Sequence, residues 1–139
     1  MSVQERLARL RDIRLFAGLG DDVVQRVLAV STELECPAGQ VLARADDPGA
    51  GMFVLEEGTV EVEGRGRTIE LGPGEFFGEL SLLVPGSRRV ARVRAKTPIR
   101  CIAINRMDFE ELLDDEPRLA LAMLPVVAER LWRVMADET

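Results

Sequence analysis

Apolar and polar residues follow two different spacings along this chain. Residues 3–10 place apolar side chains at helical intervals, and a second helix is predicted behind a cap at Asp21 or Asp22. Residues 34–104 instead contain short runs, such as 52–55, whose apolar enrichment is typical of β-strands. The pattern therefore predicts strands in the middle of the chain and helices on both sides.

Glycine and proline divide that middle region into short pieces. Ten of the twelve glycines lie between Gly39 and Gly86, where they favour turns and bulges. The turn signals recur at spacings suited to an antiparallel barrel, and they are residues 37–39, 46–49, 57–58, 64–66 and 72–74. The predicted fold is α+β and mainly β, an antiparallel β-roll or jelly-roll barrel flanked by N-terminal and C-terminal helices.

Two helices are predicted after Asn105, and the second begins near Pro117, a residue suited to a first helical turn. Pro125 predicts a kink or a break within that second helix. An apolar stripe follows steps of three and four over two heptads, which is too short to establish a coiled coil. Packing against the barrel and pairing with a second subunit therefore both stay open for the stripe, which consists of Leu121, Leu124, Ala128, Leu131 and Met135.

The length and the residue types limit the function. At 139 residues the chain is predicted to form one domain, 1–139, with helices over 1–33 and 105–139 and the β-roll over 34–104. It has no histidine, which excludes a Ser-His-Asp triad, an imidazole base and histidine-ligated metals. We therefore expect neither an enzyme nor a metal site.

The cysteines and the hydropathy bear on the compartment. Cys36 and Cys101 are too few for a Cys₄ cluster and are interpreted as two buried thiols. No apolar run approaches the roughly 20 residues that cross a bilayer, and residues 1–15 do not have the pattern of a secretory signal. We expect a cytoplasmic protein that does not contact a membrane.

Charge is distributed unevenly. The formal net charge of -6 disfavours binding to nucleic acid or to an anionic membrane. Between Glu79 and Asp108, however, there is no acidic residue, and this asymmetry predicts an anion site. The basic residues of that run are Arg88, Arg89, Arg92, Arg94, Lys96, Arg100 and Arg106.

Strand parity separates these cations. The apolar residues at 91, 93 and 95 face inward, so Arg92, Arg94 and Lys96 face water, whereas Arg89 shares the inward parity. An inward guanidinium needs a carboxylate or a ligand anion, since it cannot lose its charge. Glu79 would accept hydrogen bonds from a sugar hydroxyl, and the two charges together indicate a phosphosugar. An internal ion pair with Glu79, a strand that begins only at Val90, or a helix-terminal role for Glu79 are the structural alternatives.

Residues 76–95 read FFGELSLLVPGSRRVARVRA, and this run resembles the phosphate-binding cassette of the cyclic nucleotide-binding domain family. Bacterial catabolite activators, protein kinase A regulatory subunits and nucleotide-gated channels share that cassette, here residues 76–93. The similarity extends to residues 39–42, 47–49, 52–55 and 58–60. The resemblance implies the double-stranded β-helix of that family.

The resemblance also implies a set of ligand contacts. Glu79 would bind the ribose 2′-hydroxyl and Arg89 the exocyclic phosphate oxygens. The loop before the arginine pair is one residue longer than in close relatives, which leaves Arg88 as an alternative to Arg89. Val90 lacks the hydroxyl that some members use at this place, so cAMP is expected rather than cGMP. Val62 and Ile69 would flank the base, and Arg130, Trp132 or Arg133 would cap it. The predicted ligand-binding residues are Gly78, Glu79, Leu80, Ser81, Arg89, Val90, Ala91, Val62, Ile69, Arg130 and Trp132.

The implied function is a non-enzymatic sensor whose ligand, cAMP or cGMP, is coupled to movement of the C-terminal helices. No other cofactor is expected. A homodimer through the C-terminal helix and an unidentified downstream protein are the expected partners, with no direct nucleic-acid binding. Two alternatives stay open: a degenerate domain that serves as a dimerisation or docking module without ligand, and the sensor half of a transcription regulator that lacks its DNA-binding domain.

Overall fold

The computed structural model describes residues 2–43, 51–64, 66–78 and 92–137. Helix α1 (Val3–Arg11) begins behind Ser2, whose Oγ accepts a hydrogen bond from the Glu5 backbone N–H at 3.1 Å. Helix α2 (Asp21–Val30) begins behind Gly20, and no side chain caps it. The predicted cap at Asp21 or Asp22 is therefore wrong. Both residues lie inside the first turn, where their charges favour the helix dipole.

Eight strands among the described residues form two antiparallel sheets. Sheet one has the order β1-β8-β3-β6, and sheet two has the order β2-β7-β4-β5. The strands are β1 (Thr32–Cys36), β2 (Val41–Ala43), β3 (Gly51–Glu57), β4 (Val60–Gly64), β5 (Arg67–Leu71), β6 (Phe76–Phe77), β7 (Arg92–Ala95) and β8 (Ile99–Asn105). The predicted antiparallel β-roll with flanking helices is confirmed.

Two hydrophobic clusters lie on opposite faces of sheet one. The outer cluster joins that sheet to the helices, and the inner cluster fills the space between the two sheets. Alternation along a strand divides its side chains between them, because successive side chains point to opposite faces. Phe76 belongs to the outer cluster and its neighbour Phe77 to the inner one, so β6 is held from both sides.

The predicted buried thiols belong to the inner cluster. Cys36 and Cys101 are free cysteines, and both are buried. Burial raises the pKa of Cys101 to about 12, and burial also raises the pKa of Cys36. The interpretation as buried thiols is confirmed.

Two helices follow the last strand. Helix α3 (Arg106–Asp115) is capped by Asn105, whose Oδ1 accepts a hydrogen bond from the Asp108 backbone N–H at 2.8 Å. Helix α4 (Pro117–Asp137) runs unbroken through Pro125, so the predicted break is wrong. Proline removes the hydrogen bond to the carbonyl four residues earlier. That carbonyl belongs to Leu121, an exposed residue, so water can replace the lost donor.

The apolar stripe of α4 faces away from the roll. Leu119 and Met123 anchor the helix in the outer cluster, whereas the predicted stripe residues are exposed. Packing of this stripe against the barrel is therefore wrong for the described chain. No helix among the described residues is both long enough and apolar enough to cross a membrane.

Candidate functional site

The segment that the sequence singles out lies mostly outside the described residues. Residues 79–91 are not described, and they include Glu79, Leu80, Ser81, Arg89, Val90 and Ala91. The structure does describe Gly78, Val62, Ile69, Arg130 and Trp132, together with the strands on which the segment begins and ends. These flanking elements define the surroundings of the candidate site.

The segment begins directly after two buried phenylalanines. Phe76 and Phe77 form β6, which pairs with β3 so that Phe77 lies opposite Phe53. The two rings of that pair stack, with their centroids 5.0 Å apart and an angle of 16° between their planes. Gly78 follows with φ of 91°, a backbone conformation that favours glycine. The chain therefore leaves sheet one from a strand whose two aromatic side chains are both buried.

The segment ends in the other sheet. Strand β7 begins at Arg92 and pairs with both β2 and β4. Val93 and Ala95 are buried in the inner cluster, while Arg92, Arg94 and Lys96 keep between 40% and 48% of their side-chain surface exposed. The parity predicted for residues 92–96 is confirmed. The thirteen residues 79–91 thus connect sheet one to sheet two.

An apolar row crosses sheet two beside the start of β7. Val93 lies opposite Val62 on β4, and Val62 lies opposite Ile69 on β5. Side chains directly opposite in antiparallel strands point to the same face, so the row shares the face of the inner cluster. Exposure rises along it, from 4% at Val93 through the half-buried Val62 to 48% at Ile69. The row forms an apolar shelf that opens toward the β5 edge.

The other face of sheet two carries ion pairs. Arg94 Nη2 donates to Glu61 Oε2 at 3.0 Å, and Lys96 donates to Glu70 Oε1. These bonds raise the pKa of Arg94 and of Lys96. Arg92 lies 3.9 Å from Glu63. The cations at positions 92, 94 and 96 are therefore neutralised by carboxylates of β4 and β5.

Arg100 is neutralised in a different place. Its side chain is 11% exposed, its Nε lies 3.3 Å from Glu56 Oε2 and 3.7 Å from Glu33 Oε1, and its Nη2 donates to Glu57. Glu56 is 7% exposed, and burial followed by the nearby Glu33 raises its pKa despite the Arg100 charge. A cleft of about 550 Å³ adjoins Arg100, Glu56 and Arg9. This cluster joins α1 to the roll and includes none of the predicted site residues.

The predicted caps on α4 lie in different environments. Arg130 Nη2 donates to the Phe76 carbonyl oxygen at 2.6 Å, and the guanidinium carbon lies 4.7 Å from the centre of the Phe76 ring. Trp132 is 69% exposed. Arg133 donates to Glu129 one turn earlier in the same helix. The structure therefore brings Arg130, rather than Trp132 or Arg133, to Phe76 of β6, just before residues 79–91.

Sequence reasoning missed two features of this region. The Phe53–Phe77 stack was not anticipated, although the two apolar residues on predicted strands were a usable signal. The contact of Arg130 with Phe76 joins residues 54 positions apart and has no local signal.

The chain is similar in sequence to known proteins. A sequence profile of the cyclic nucleotide-binding domain matches residues 33–116. A cyclic nucleotide-gated potassium channel of Mesorhizobium japonicum is 35% identical over 118 residues, which are 85% of this chain and 33% of the channel. The chain thus spans about a third of the length of that relative.

Two solved structures show the same fold. The catabolite activator protein of Thermus thermophilus superposes with a TM-score of 0.77 at 28% identity, over 89% of this chain and 61% of that one. A putative cyclic nucleotide-binding protein of Geobacter metallireducens superposes with a TM-score of 0.75 at 28% identity, over 96% of this chain and 98% of that one. The matched profile covers more than half of the residues, and the chain belongs to the cyclic nucleotide-binding domain family.

Proposed function

We propose that this chain is a regulatory sensor that binds a 3′,5′-cyclic nucleotide, cAMP in preference to cGMP, between residues 78–91 and sheet two. The observation that carries the proposal is the direction in which the side chains of β7 point. Val93 and Ala95 are buried while Arg92, Arg94 and Lys96 face outward. In the proposal the same alternation continues back through residue 91, so that Arg89 faces inward beside the apolar shelf. A guanidinium beside an apolar surface suits a ligand that combines an anion with a flat ring.

The charge distribution supports an anionic ligand. Five of the seven cations in the acid-free run are described, and each has a carboxylate within 4 Å: Arg92, Arg94, Lys96, Arg100 and Arg106. The proposal assigns the other two cations, Arg88 and Arg89, to the ligand. In the proposal Arg89 binds the phosphate, with Val90 and Ala91 beside it.

The rest of the ligand follows from the chemistry of the neighbouring groups. Glu79 accepts hydrogen bonds from the ribose 2′-hydroxyl, and the backbone N–H groups of Gly78, Leu80 and Ser81 bind the remaining phosphate oxygens. The base lies on the apolar shelf, against Val62 and Ile69, where it buries apolar surface. Val90 has no hydroxyl to offer a guanine, and this favours cAMP over cGMP.

In the proposal the bound nucleotide changes the positions of the C-terminal helices and is not itself converted to a product. Occupancy shifts the population of positions that α3 and α4 adopt relative to the roll, and a downstream protein binds one of those positions. The chain has no histidine for general base catalysis, and ligand sensing needs none.

Calorimetric titration of three arginine variants with cAMP tests the proposal. Arg89→Ala removes at least two charge-assisted hydrogen bonds of roughly 1.5–3 kcal/mol each, so the affinity should fall at least about a hundredfold. Arg92→Ala is the matched control, since this neighbouring cation faces outward and should leave the affinity unchanged. Loss of binding in Arg88→Ala instead of Arg89→Ala would transfer the role to Arg88. Unchanged affinity in both Arg88→Ala and Arg89→Ala would refute the anion site.

A second candidate function is a dimerisation or docking module, favoured by the exposed stripe on α4. Leu121, Leu124, Leu131 and Met135 are each between 59% and 65% exposed. Their two-heptad spacing suits a second copy of the helix. Sedimentation equilibrium should detect a dimer that the double variant Leu124→Asp, Leu131→Asp converts to monomer. A monomeric wild type that responds to cAMP would dismiss this candidate, and a dimer that does not respond would favour it.

A further inference from the structure

The cleft between helix α1 and the roll is separate from the candidate nucleotide site. Its volume is about 550 Å³, a size typical of small-molecule sites. Glu56 of β3 and Arg100 of β8 line it. Each of them directly adjoins a residue of the inner cluster, so alternation places both on the opposite face of sheet one, which packs against the helices. Sheet one therefore separates the cleft from the inner cluster and the apolar shelf.

Buried polar atoms without hydrogen-bond partners lie at this cleft. Arg9 Nη1 and Arg100 Nε are enclosed and have no hydrogen-bond partner among the described residues. The Glu56 side chain is 7% exposed, and its Oε2 lies 3.3 Å from Arg100 Nε without the geometry of a hydrogen bond. Buried polar atoms are bonded in most folded proteins, so these atoms call for an explanation. Arg9 can turn its Nη1 toward the cleft without breaking a hydrogen bond.

The mouth of the cleft carries charges of both signs. Arg14 is exposed, and neither it nor Arg9 lies within 4 Å of a described carboxylate. Asp12 and Glu75 are also exposed, and neither lies within 4 Å of a described cation. Glu75 Oε2 accepts a hydrogen bond from the Gly72 backbone N–H at 2.7 Å, which holds that carboxylate at the cleft. Cations and carboxylates thus line one cleft without pairing with each other.

These charges suit a ligand that carries an anion and a cation together. A carboxylate accepts two hydrogen bonds from the edge of a guanidinium, and the Arg9 and Arg14 side chains have no such partner among the described residues. Protein carboxylates in the lining repel a ligand that is only negative, and they are Asp12, Glu56, Glu57 and Glu75. An ammonium group, which donates three hydrogen bonds, offsets that repulsion. An α-amino acid carries both groups on one carbon atom.

We propose that this cleft is a binding site for an α-amino acid. Arg9 and Arg14 bind its carboxylate, and Asp12 and Glu75 at the mouth bind its ammonium group. The site goes beyond the proposed function and does not depend on a nucleotide at residues 78–91, since it lies on the other face of sheet one.

A nuclear magnetic resonance titration of the isotope-labelled chain with each of the standard L-amino acids tests the site. A ligand in the cleft should shift the amide signals of residues 9–14 and 72–75 and should saturate. The N-acetyl and the carboxamide derivatives of the tightest-binding amino acid are the matched probes, because each lacks one charge. Each should bind about tenfold more weakly or worse, since the loss of a hydrogen bond to a charged group changes a binding constant by that much.

Three arginine variants locate the binding. Arg9→Gln removes the charge and should weaken binding of the amino acid by about tenfold or more. Arg11→Gln is the matched control and should leave the affinity unchanged, since Arg11 belongs to the same helix, does not line the cleft and pairs with Asp21 at 3.0 Å. Arg14→Gln changes an exposed side chain and should also weaken binding, so it provides the test if Arg9→Gln does not fold.

Three results would overturn the inference: no standard amino acid gives saturable shifts at residues 9–14 and 72–75, the N-acetyl derivative binds as tightly as its parent, or Arg11→Gln weakens binding as much as the variants of the cleft do. The second result identifies a site for simple carboxylates. The titrations contain no nucleotide, so a failure of the proposed function leaves each of these expectations unchanged.

Discussion

Gly58 lies in a crowded turn of the roll, and replacing it should cost far more than replacing Gly39, which has a similar backbone conformation. Gly58 connects β3 to β4 with φ of 89°. A Cβ atom there would meet the Pro98 carbonyl oxygen, with Ile99 Cγ2 at 2.7 Å and Thr97 Oγ1 at 2.9 Å. Real Cβ atoms do not approach other atoms so closely, and a backbone carbonyl cannot rotate away as a side chain can. The connection between β7 and β8, which contains Thr97 and Pro98, must therefore move if Gly58 becomes alanine.

Gly39 provides the matched control. Its φ is 91°, almost the same as that of Gly58, but a Cβ there meets nothing within 4 Å. Gly39→Ala should be destabilised only by the cost of placing alanine in the left-handed conformation, roughly 1–2 kcal/mol. Gly58→Ala adds overpacking of roughly 1–3 kcal/mol. The shift also strains the hydrogen bond from the Thr59 N–H to Thr97 Oγ1 at 3.0 Å. The free energy of unfolding of the Gly58→Ala variant should therefore fall by about 2–5 kcal/mol.

Urea denaturation followed by circular dichroism measures both variants against the wild type. A domain of this size unfolds in one cooperative transition with a free energy of about 5–15 kcal/mol, so Gly58→Ala should remain folded and measurable. Equal slopes in urea would show that the unfolded states are comparable. A difference between the two variants smaller than about 0.5 kcal/mol would refute the steric argument, since both share the same backbone cost.

Two further predictions concern buried ionisable groups. Burial and Glu33 raise the pKa of Glu56, so the folded state binds that proton more tightly than the unfolded state, and the contribution of Glu56 to stability falls as pH rises through its folded pKa. Urea titrations from about pH 4 to about pH 8 should therefore show Glu56→Gln gaining stability relative to the wild type; a pH-independent difference would contradict the shift. Burial raises the pKa of Cys101 to about 12 and also raises that of Cys36, so iodoacetamide at about pH 8 should label either thiol only as fast as the protein opens. Mass spectrometry that finds rapid labelling of folded protein would disprove this.

Much of the fold could be predicted because it is encoded locally. The alternation that placed Val93 and Ala95 inward and Arg92 and Arg94 outward appears in the structure. Capping was predicted less well, since Gly20 rather than an aspartate precedes α2. Several residue types are acceptable at a cap, and the direction from which the chain enters the helix selects among them.

The candidate site divides in the same way. Residues 78–91 can be identified as a candidate site from their composition and order. The residues that contact the ends of that segment cannot be identified in this way. Arg130 and Trp132 were equivalent candidates in the sequence, but the structure buries part of one against Phe76 and leaves the other exposed. Arg100 belonged to the cationic run by position and proved to pair with Glu56.

The sequence by itself determined which face of strand β7 is buried, because side-chain direction repeats with a fixed period along a strand. Only the tertiary structure decided which buried or charged group meets which partner. The Phe53–Phe77 stack, the Arg100–Glu56 pair and the Arg130–Phe76 contact each join distant positions in the chain. Such contacts form when the packing of two sheets and four described helices places the groups together, and no local period records that arrangement.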